Sequence, residues 1–388
     1  MENEEVLPLF VSDPILNKDG VTQYTSYTLQ GSKMPEPMSR RYRDFDALRK
    51  KFCERWPGVF IPNIPHKKTV GNTDKEIVGL RIEMINRFLK KLCNIDYLFN
   101  SDEMELFLQN TNNVSKTLDN IKEDSYQQLL KKYSATFTDY DENFDTIQGK
   151  IEQDDFYKKL NVMYPKLRAF RAFIFQEKER YRVVEKNYLA VINMLSLYEK
   201  EIVNTYVNND ENRLVFFNMK NIDLCKNISN VQEKMINPYD RLYEAITEDY
   251  LDTEAMQEAL ESLKNLQETH NKLNKNLSST IEQLNDLQSG KTNVKNLLSF
   301  KKKDDNANQL MSEKEKLEKD IEDLGHVIKI ATFNMQNQIK KFKIVCLENY
   351  YTELSRIQKD TEINAKIYDD LWETVVKDKN IAEFTSSW

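Results

Sequence analysis

The sequence predicts an α+β domain, with a small three-stranded antiparallel sheet plus helices, followed by an all-α region of three long antiparallel helices. Three observations support this prediction. Seven of the nine prolines lie before residue 70, which indicates a loop-bearing first part of the chain. Candidate strands occur only there. Beyond about residue 125, apolar residues recur at alternating steps of three and four, the heptad pattern of long helices packed in a coiled coil.

The first part of the chain alternates strand and helix signals. Residues 9–12 and 21–29 are predicted strands, and the turn-like Asn17-Lys18-Asp19-Gly20 separates them. A third strand is expected to run into Arg41 and Tyr42. Helices are predicted over 44–55, 73–93 and 101–109, and Trp56-Pro57-Gly58 ends the first of them. The expected product is a small sheet against a helical layer.

Three separated groups of basic residues suggest a binding site for a phosphorylated ligand. The first is Ser39-Arg40-Arg41-Tyr42-Arg43-Asp44-Phe45, which places permanently charged guanidinium forks beside an aromatic ring. The second is a Pro-x-x-Pro loop, Pro62 to Pro65, followed by Lys67. The third is Arg81, seven residues before Phe88 on a predicted helix. Together they could grip phosphates at two corners of a small ligand.

In this order and at these separations, the three groups resemble the PX (phox homology) domain of the sorting nexins, over about residues 5–110. The resemblance implies that Arg41 holds the 3-phosphate of phosphatidylinositol 3-phosphate and that Tyr42 stacks on the inositol ring. It assigns the 1-phosphate to Lys67, with Lys68 as a near substitute, and the ring hydroxyls at positions 4 and 5 to Arg81. Because the whole set is present, a preference for the 3-phosphate is expected.

Other polar residues near these groups are expected to have ordinary roles. Arg40, Arg43 and Arg49 are predicted to lie on solvated or salt-bridged faces, and His66 is predicted to be a loop residue. Residues 111–125 are polar and are predicted to form a linker. The following stretch, 126–140, has apolar residues at helical spacing. It is predicted to pack on the helical region, and insertion into a bilayer interface is the alternative.

The rest of the chain predicts three long helices, at about 150–207, 213–288 and 305–382. At 1.5 Å per residue, the longer ones would reach on the order of 110 Å. Three helices of this length bury too little surface alone, so a second copy is expected to complete the core. Pro165 and Pro238 are potential helix-disrupting sites, and Pro238 is expected to kink the second helix. His270 is predicted to be a tolerated polar residue on the apolar stripe.

Three antiparallel helices behind a PX domain resemble the BAR domain of the SNX-BAR subfamily. In that family the dimer is a curved six-helix rod whose concave side and tips face the membrane. The loop between the second and third helices would lie at a tip, where lysines near an anionic leaflet contribute about 1 kcal/mol each. A solvated turn is the alternative. The predicted membrane-contact residues are Lys291, Lys295, Lys301, Lys302 and Lys303.

Composition argues against several other classes of function. The net charge of −7 disfavours general nucleic-acid binding. Four dispersed cysteines show no metal spacing and suggest a reduced, cytosolic setting. Neither a signal peptide, a long apolar run nor a lipidation motif is evident, so membrane contact is expected to be peripheral. No catalytic motif or zinc-ligand pattern occurs, and the sequence predicts no enzyme, no metal site and no cofactor.

The resulting hypothesis is a PX domain at 1–110, a linker at 111–125 and a BAR domain at 126–388. The resemblance implies a dimer on the cytosolic face of early endosomes that binds phosphatidylinositol 3-phosphate and senses or shapes membrane curvature. The sequence leaves open whether the dimer is a homodimer or a heterodimer with another SNX-BAR protein, and whether a retromer-like cargo complex is a partner. The alternatives are a straight coiled-coil tether or cargo adaptor with the same pocket, and a cytoskeletal coiled-coil protein whose first domain binds a protein.

Overall fold

The computed structural model describes residues 8–19, 22–32, 34, 36–65, 75–109, 113–202, 205, 231, 233–288 and 300–376. The chain divides into two compact units. The first unit comprises Met1–Tyr164 and Leu251–Lys343, and the second comprises Pro165–Tyr250 and Ile344–Trp388. Each unit therefore combines segments that are far apart in the sequence.

The predicted three-stranded sheet is confirmed. Its strands are β1 (Phe10–Asp19), β2 (Thr22–Gln30) and β3 (Met38–Arg41), all antiparallel and in the order β1-β2-β3. Side chains alternate between the two faces of a strand, and the face toward the helices is fully buried at Tyr27 and Leu29. β3 pairs only with the part of β2 from Ser26 to Leu29, so the β1-β2 ribbon continues beyond the end of β3.

Five helices belong to the same part of the chain as the sheet, and the first two of them contact its strands. They are α1 (Tyr42–Arg55), α2 (Lys75–Cys93), α3 (Asp96–Phe99), α4 (Asp102–Leu108) and α5 (Val114–Asp119). The first two predicted helices correspond to α1 and α2, and the third to α4. Within the predicted linker, residues 111–125, the helix α5 forms and buries Val114 and Leu118. The domain boundaries themselves stay a prediction.

The next helix, α6 (Tyr126–Thr136), begins with a reciprocal cap in which the Ser125 and Gln128 side chains bond each other's backbone N–H groups. Its apolar residues Leu129 and Tyr133 are buried, and the Tyr133 hydroxyl donates to the Pro57 carbonyl at 2.5 Å. Tyr133 also stacks on Trp56, with ring centroids 5.9 Å apart. The apolar face of α6 therefore packs against protein, as the sequence predicts, and is not exposed for insertion into a bilayer.

A network of buried and partly buried charges joins α6 to the first domain. The Arg55 Nε atom lies 2.5 Å from Glu103 Oε1, and Arg55 Nη1 lies 2.8 Å from Asp124 Oδ1. Lys132 of α6 reaches Asp124 Oδ2 at 2.5 Å and also donates to the backbone carbonyl of Arg55. Burial lowers the pKa of Lys132, and its hydrogen bond to Asp124 opposes that effect. α6 is thus tied to the end of α1 by both polar and aromatic contacts.

Three long helices follow: α7 (Thr146–Glu201), α8 (Pro238–Gln288) and α9 (Phe300–Val376). α7 continues through Pro165 without a break, so this proline does not end the helix. The expected kink at Pro238 is wrong. Residues 235–237 are not helical, and Pro238 is the first residue of α8. A proline is tolerated there because the first N–H groups of a helix have no intrahelical partner. The predicted stretch 213–230 lies outside the described residues.

The first unit has one hydrophobic core, which contains side chains of the sheet domain and of the long helices. Trp56 and Tyr133 belong to it, and so do Leu263 of α8 and Met335 of α9. Polar contacts accompany this packing, including an ion pair between Lys91 and Asp252 at 2.5 Å. In this unit the sheet domain is packed on the helices and is not a separately tethered module.

The second unit contains a smaller core around Ile192, Val231 and Leu371. In the same unit, the buried side chain of Asn364 forms hydrogen bonds with the non-helical backbone that precedes α8. Its amide nitrogen donates to the Ile236 carbonyl at 2.7 Å, and its oxygen accepts from the Ile236 N–H at 3.0 Å. The same nitrogen donates to the Tyr181 hydroxyl at 2.7 Å. A buried asparagine thus takes the place of a helical partner for Ile236.

Candidate functional site

Arg41 occupies the junction between β3 and α1. It is the last residue of the strand and the N-cap of the helix, with an extended backbone at φ −91° and ψ 158°. Its N–H donates to the Asp44 carboxylate at 2.8 Å. This bond satisfies a donor that the start of a helix would otherwise leave unpaired. The backbone from which the predicted phosphate-binding side chain extends is therefore fixed.

The guanidinium of Arg41 lies on the face of the Tyr24 ring, 3.4 Å from its centroid. The geometry follows from the register of the sheet. Arg41 is the pairing partner of Ser26, and Tyr24 lies two residues before Ser26 on the same face. Since β3 ends at Arg41, no β3 residue lies opposite Tyr24, which pairs with Asn17 of β1 on the other side of β2. A guanidinium stacked on a ring keeps its N–H groups directed outward in its own plane, where they can donate to a phosphate.

Tyr24 was missed by sequence reasoning. The alternation of side chains along β2 could have placed it on the same face as Ser26, but the pairing of Ser26 with Arg41 is set by the register. Only that register brings the tyrosine under the arginine.

Arg40 points to the opposite face from Arg41, and the prediction that it is solvated or salt-bridged is wrong. Its side chain is buried, and Nη2 donates to the Phe107 carbonyl at 2.8 Å and to the Gln109 carbonyl at 2.6 Å. These carbonyls lie at the end of α4, where helical carbonyls lack intrahelical partners. Burial lowers the pKa of Arg40, and nearby Asp44 opposes this effect. Arg40 is a structural residue that ties β3 to α4.

The other two arginines with ordinary predicted roles are found as expected. The Arg43 side chain is 50% exposed, with its Nε 3.7 Å from an Asp44 oxygen. Arg49 forms an ion pair with Glu258 of α8 and also donates to the Pro62 carbonyl at 3.1 Å. Arg40 and Arg41 both lie over aromatic rings, but the Arg41 guanidinium is 3.4 Å from the Tyr24 centroid, whereas that of buried Arg40 is 5.5 Å from the Phe107 centroid.

Tyr42, the residue after Arg41, lies against Arg81, and both are largely buried, at 9% and 6% exposure. The Arg81 guanidinium is 4.9 Å from the Tyr42 ring centroid, and the Tyr42 hydroxyl donates to the Pro65 carbonyl. Burial, with a smaller effect of Asp46, raises the pKa of Tyr42 to about 12, so the hydroxyl remains a donor near neutral pH. Arg81 also lies near Tyr27, whose pKa is raised by burial and partly lowered by Arg81.

The remaining predicted site residues lie wholly or partly outside what the structure describes. Lys67, Lys68 and His66 follow directly after Pro65 and are outside the described residues. Lys291 and Lys295 are outside them too. The backbone of Lys301, Lys302 and Lys303 belongs to the first turn of α9, so the predicted loop ends earlier than expected. Membrane contact by these five lysines stays a prediction.

The described residues offer little support for other kinds of site. Among them, no group of three or more His, Cys, Asp or Glu residues could hold a metal ion. Burial raises the pKa of both Cys53 and Cys93 to about 11, which disfavours the reactive thiolate. Within the part of the chain that the structure describes, no helix is long and apolar enough to cross a membrane.

Comparison with known proteins adds independent support for the first domain. Residues 31–111 match the PX domain family. Sorting nexin 1 of Arabidopsis thaliana is 30% identical over 112 residues, which are 26% of this chain and 28% of that protein. Human sorting nexin-11 is 31% identical over 116 residues, covering 28% of this chain and 43% of the relative. The chain therefore matches less than half the length of either protein.

The similarity in fold extends over nearly the whole chain. The cryo-EM structure of the SNX-BAR Mvp1 tetramer matches with a TM-score of 0.52 and 15% sequence identity. The match covers 95% of this chain and 100% of the other. At this identity the likeness establishes the fold, including the order of a small sheet domain and three long helices.

Proposed function

The chain carries a PX domain and has the fold of the SNX-BAR sorting nexins, and on this premise we propose that it is a peripheral membrane protein that binds phosphatidylinositol 3-phosphate. The observation that carries the proposal is the fixed position of Arg41, with its backbone held by Asp44 and its guanidinium on Tyr24. Tyr42, the next residue in the chain, supplies an aromatic ring, and Arg81, which lies against that ring, supplies a second guanidinium. Lys67 is the proposed ligand of the 1-phosphate.

We further propose that the long helices form a dimer with a second copy or with another SNX-BAR protein. In the second unit, α7 and α9 expose many large apolar side chains, such as Met194 at 65% and Tyr351 at 66%. Monomeric proteins rarely expose continuous apolar patches above a few hundred Å². Side chains at these spacings are suited to a coiled-coil partner. The exposed apolar residues of α7 and α9 in this unit include Phe170, Phe173, Val184, Val191, Met194, Leu197, Tyr198, Leu347, Tyr350, Tyr351 and Leu354.

A dimer with two lipid pockets would multiply weak contacts through effective concentration. The fold supports a role in sensing or generating membrane curvature, and phosphatidylinositol 3-phosphate would direct the protein to the cytosolic face of early endosomes, in sorting and tubule trafficking. Lysines 291, 295, 301, 302 and 303 would add contacts with an anionic leaflet. A retromer-like cargo complex is a further candidate partner.

The proposal is tested by sedimentation of the full chain with vesicles that contain phosphatidylinositol 3-phosphate, phosphatidylinositol 4-phosphate or neither. We expect binding to the first composition alone, together with tubules visible by electron microscopy at higher protein concentration. Binding without tubules would favour the tether or cargo adaptor. Equal binding to all three compositions would refute the proposed ligand.

The contact between the Tyr24 ring and Arg41 is expected to contribute to ligand affinity. Tyr24→Leu removes the ring on which Arg41 lies and is expected to weaken binding of soluble inositol 1,3-bisphosphate by about threefold to fivefold, the range of an exposed cation–π contact. Tyr24→Phe keeps the ring and should bind like the unmodified protein. Isothermal titration calorimetry measures both affinities. Equal affinities of the Leu and Phe variants would show that the ring does not position Arg41.

A further inference from the structure

The loop from Gly58 to Pro65, called here the pocket loop, contacts the long helices along most of its length. The Gly58 N–H donates to Ser262 Oγ of α8 at 3.2 Å, and the Phe60 N–H donates to Gln338 Oε1 of α9 at 2.9 Å. Gly58 has φ +76°, and a Cβ atom there would lie 3.2 Å from the Leu263 side chain. The loop therefore needs glycine at this point, both for its backbone conformation and for its close approach to α8.

Two acidic residues of α8, Glu254 and Glu258, form polar contacts that hold the second half of the pocket loop. Asn63 Nδ2 donates to Glu254 Oε2 at 2.6 Å, and the other oxygen of Glu254 accepts from the Tyr164 hydroxyl at 2.9 Å. Asn63 also accepts from the Ile64 N–H at 2.9 Å, which fixes its amide orientation. Arg49 links the Pro62 carbonyl to Glu258. Two carboxylates of one helix thus hold consecutive parts of the loop.

The opposite end of the pocket loop meets the lipid site. The Pro65 carbonyl accepts the hydroxyl proton of Tyr42, whose ring faces Arg81. Lys67, the proposed ligand of the 1-phosphate, follows Pro65 by two residues in the sequence. The position of the loop thus limits where the Tyr42 hydroxyl can lie, and in the sequence the loop leads directly into the segment that carries Lys67.

We propose that Glu254 and Glu258 of α8 are positioning residues of the lipid pocket: by holding the pocket loop, the helical region determines how well the PX domain grips the 1-phosphate. This inference rests on the proposed binding of phosphatidylinositol 3-phosphate. Its physical basis is preorganisation, since a loop held in its bound position loses less conformational freedom on binding. α8 is a helix of 51 residues and gives the loop a stiffer support than neighbouring loops would.

The test uses the full chain and two soluble ligands, inositol 1,3-bisphosphate and inositol 3-phosphate, measured by isothermal titration calorimetry. Soluble ligands remove avidity and curvature from the measurement. Asn63→Asp places a carboxylate against Glu254 and should weaken binding of the bisphosphate by about tenfold, the lower end of what outer-shell partners contribute at metal sites. Binding of the monophosphate should change little, because it has no 1-phosphate for the loop to position.

A second substitution distinguishes the contact from general damage. Glu254→Gln in the Asn63→Asp background restores a donor and acceptor pair, because the glutamine amide can donate to the new aspartate. We expect this double variant to recover the bisphosphate affinity. Glu268→Gln, at an exposed position further along α8, is the matched control and should bind both ligands normally.

Each outcome decides the inference. Weaker binding of the bisphosphate alone, recovered in the double variant, supports it. Unchanged binding in Asn63→Asp, or an equal loss for both ligands without recovery, overturns it while leaving the proposed ligand intact. If the unmodified protein binds neither ligand, the proposed function fails and this inference fails with it.

Discussion

Replacing Arg41 with alanine is expected to weaken binding of vesicles containing phosphatidylinositol 3-phosphate by about 100-fold. The reason is the loss of a charge-assisted, bidentate contact with the 3-phosphate. One such hydrogen bond contributes roughly 1.5–3 kcal/mol, and about 1.4 kcal/mol corresponds to a factor of ten in affinity. Arg41→Lys should give an intermediate loss, because an ammonium keeps the charge but not the planar fork. Vesicle sedimentation over a range of lipid concentrations measures all three affinities.

Arg43→Ala is the matched control. Arg43 lies two residues from Arg41 and carries the same charge, but its side chain is half exposed and its neighbouring charge is Asp44. If the field of the basic residues alone attracts the membrane, both alanine variants should lose a similar part of the affinity, and the loss should shrink with added salt. A selective loss in Arg41→Ala supports a defined pocket, whereas similar losses would argue for nonspecific attraction.

The elements of the fold follow from local patterns and were largely predictable from the sequence. Strand and turn signals predicted β2 and the first part of β1, but Asn17–Asp19, predicted to be a turn, belong to β1 and pair with β2. Heptad spacing predicted the three long helices to within several residues at most described ends. The interruption at residues 235–237 was not predicted, since a proline is compatible with both a kinked helix and a first helical turn. The structure places Pro238 at the start of α8, where Asn364, more than a hundred residues later, pairs with the interrupted backbone.

The different structural roles of the arginines between residues 40 and 49 were less predictable from the sequence. Arg40 and Arg41 are adjacent, yet strand alternation directs one to the core and the other to the Tyr24 ring. A charged residue is rarely assigned to a core from sequence, because its burial requires partners that only tertiary structure supplies. Those partners are carbonyls near Phe107. The contact between Arg49 and Glu258 spans 209 residues and has no local signature either.

Arg55→Met is expected to have the largest effect on stability. Glu103 is only 2% exposed, and Arg55 is its ion-pair partner at 2.5 Å. Removing one partner of a buried ion pair typically costs about 3–5 kcal/mol, because the other charge remains buried without compensation. The loss should be concentrated where the network joins α1, α4 and α6. Hydrogen exchange of backbone amides in these helices measures the local free energy of opening.

The double variant Arg55→Met/Glu103→Leu separates the cost of an unpaired charge from the loss of the pair itself. It removes both charges, and replacing a buried ion pair with apolar side chains of similar volume is often neutral. Protection of α6 should therefore recover for the most part, with Asp124 still paired to Lys132. Lys50→Met, which affects a largely exposed ion pair on the same helix, is the control and should change little. Equal hydrogen-exchange rates of the α6 amides in Arg55→Met and Lys50→Met would show that the charged network does not hold α6 to the PX domain. The aromatic contact between Trp56 and Tyr133 would then be the remaining attachment to consider.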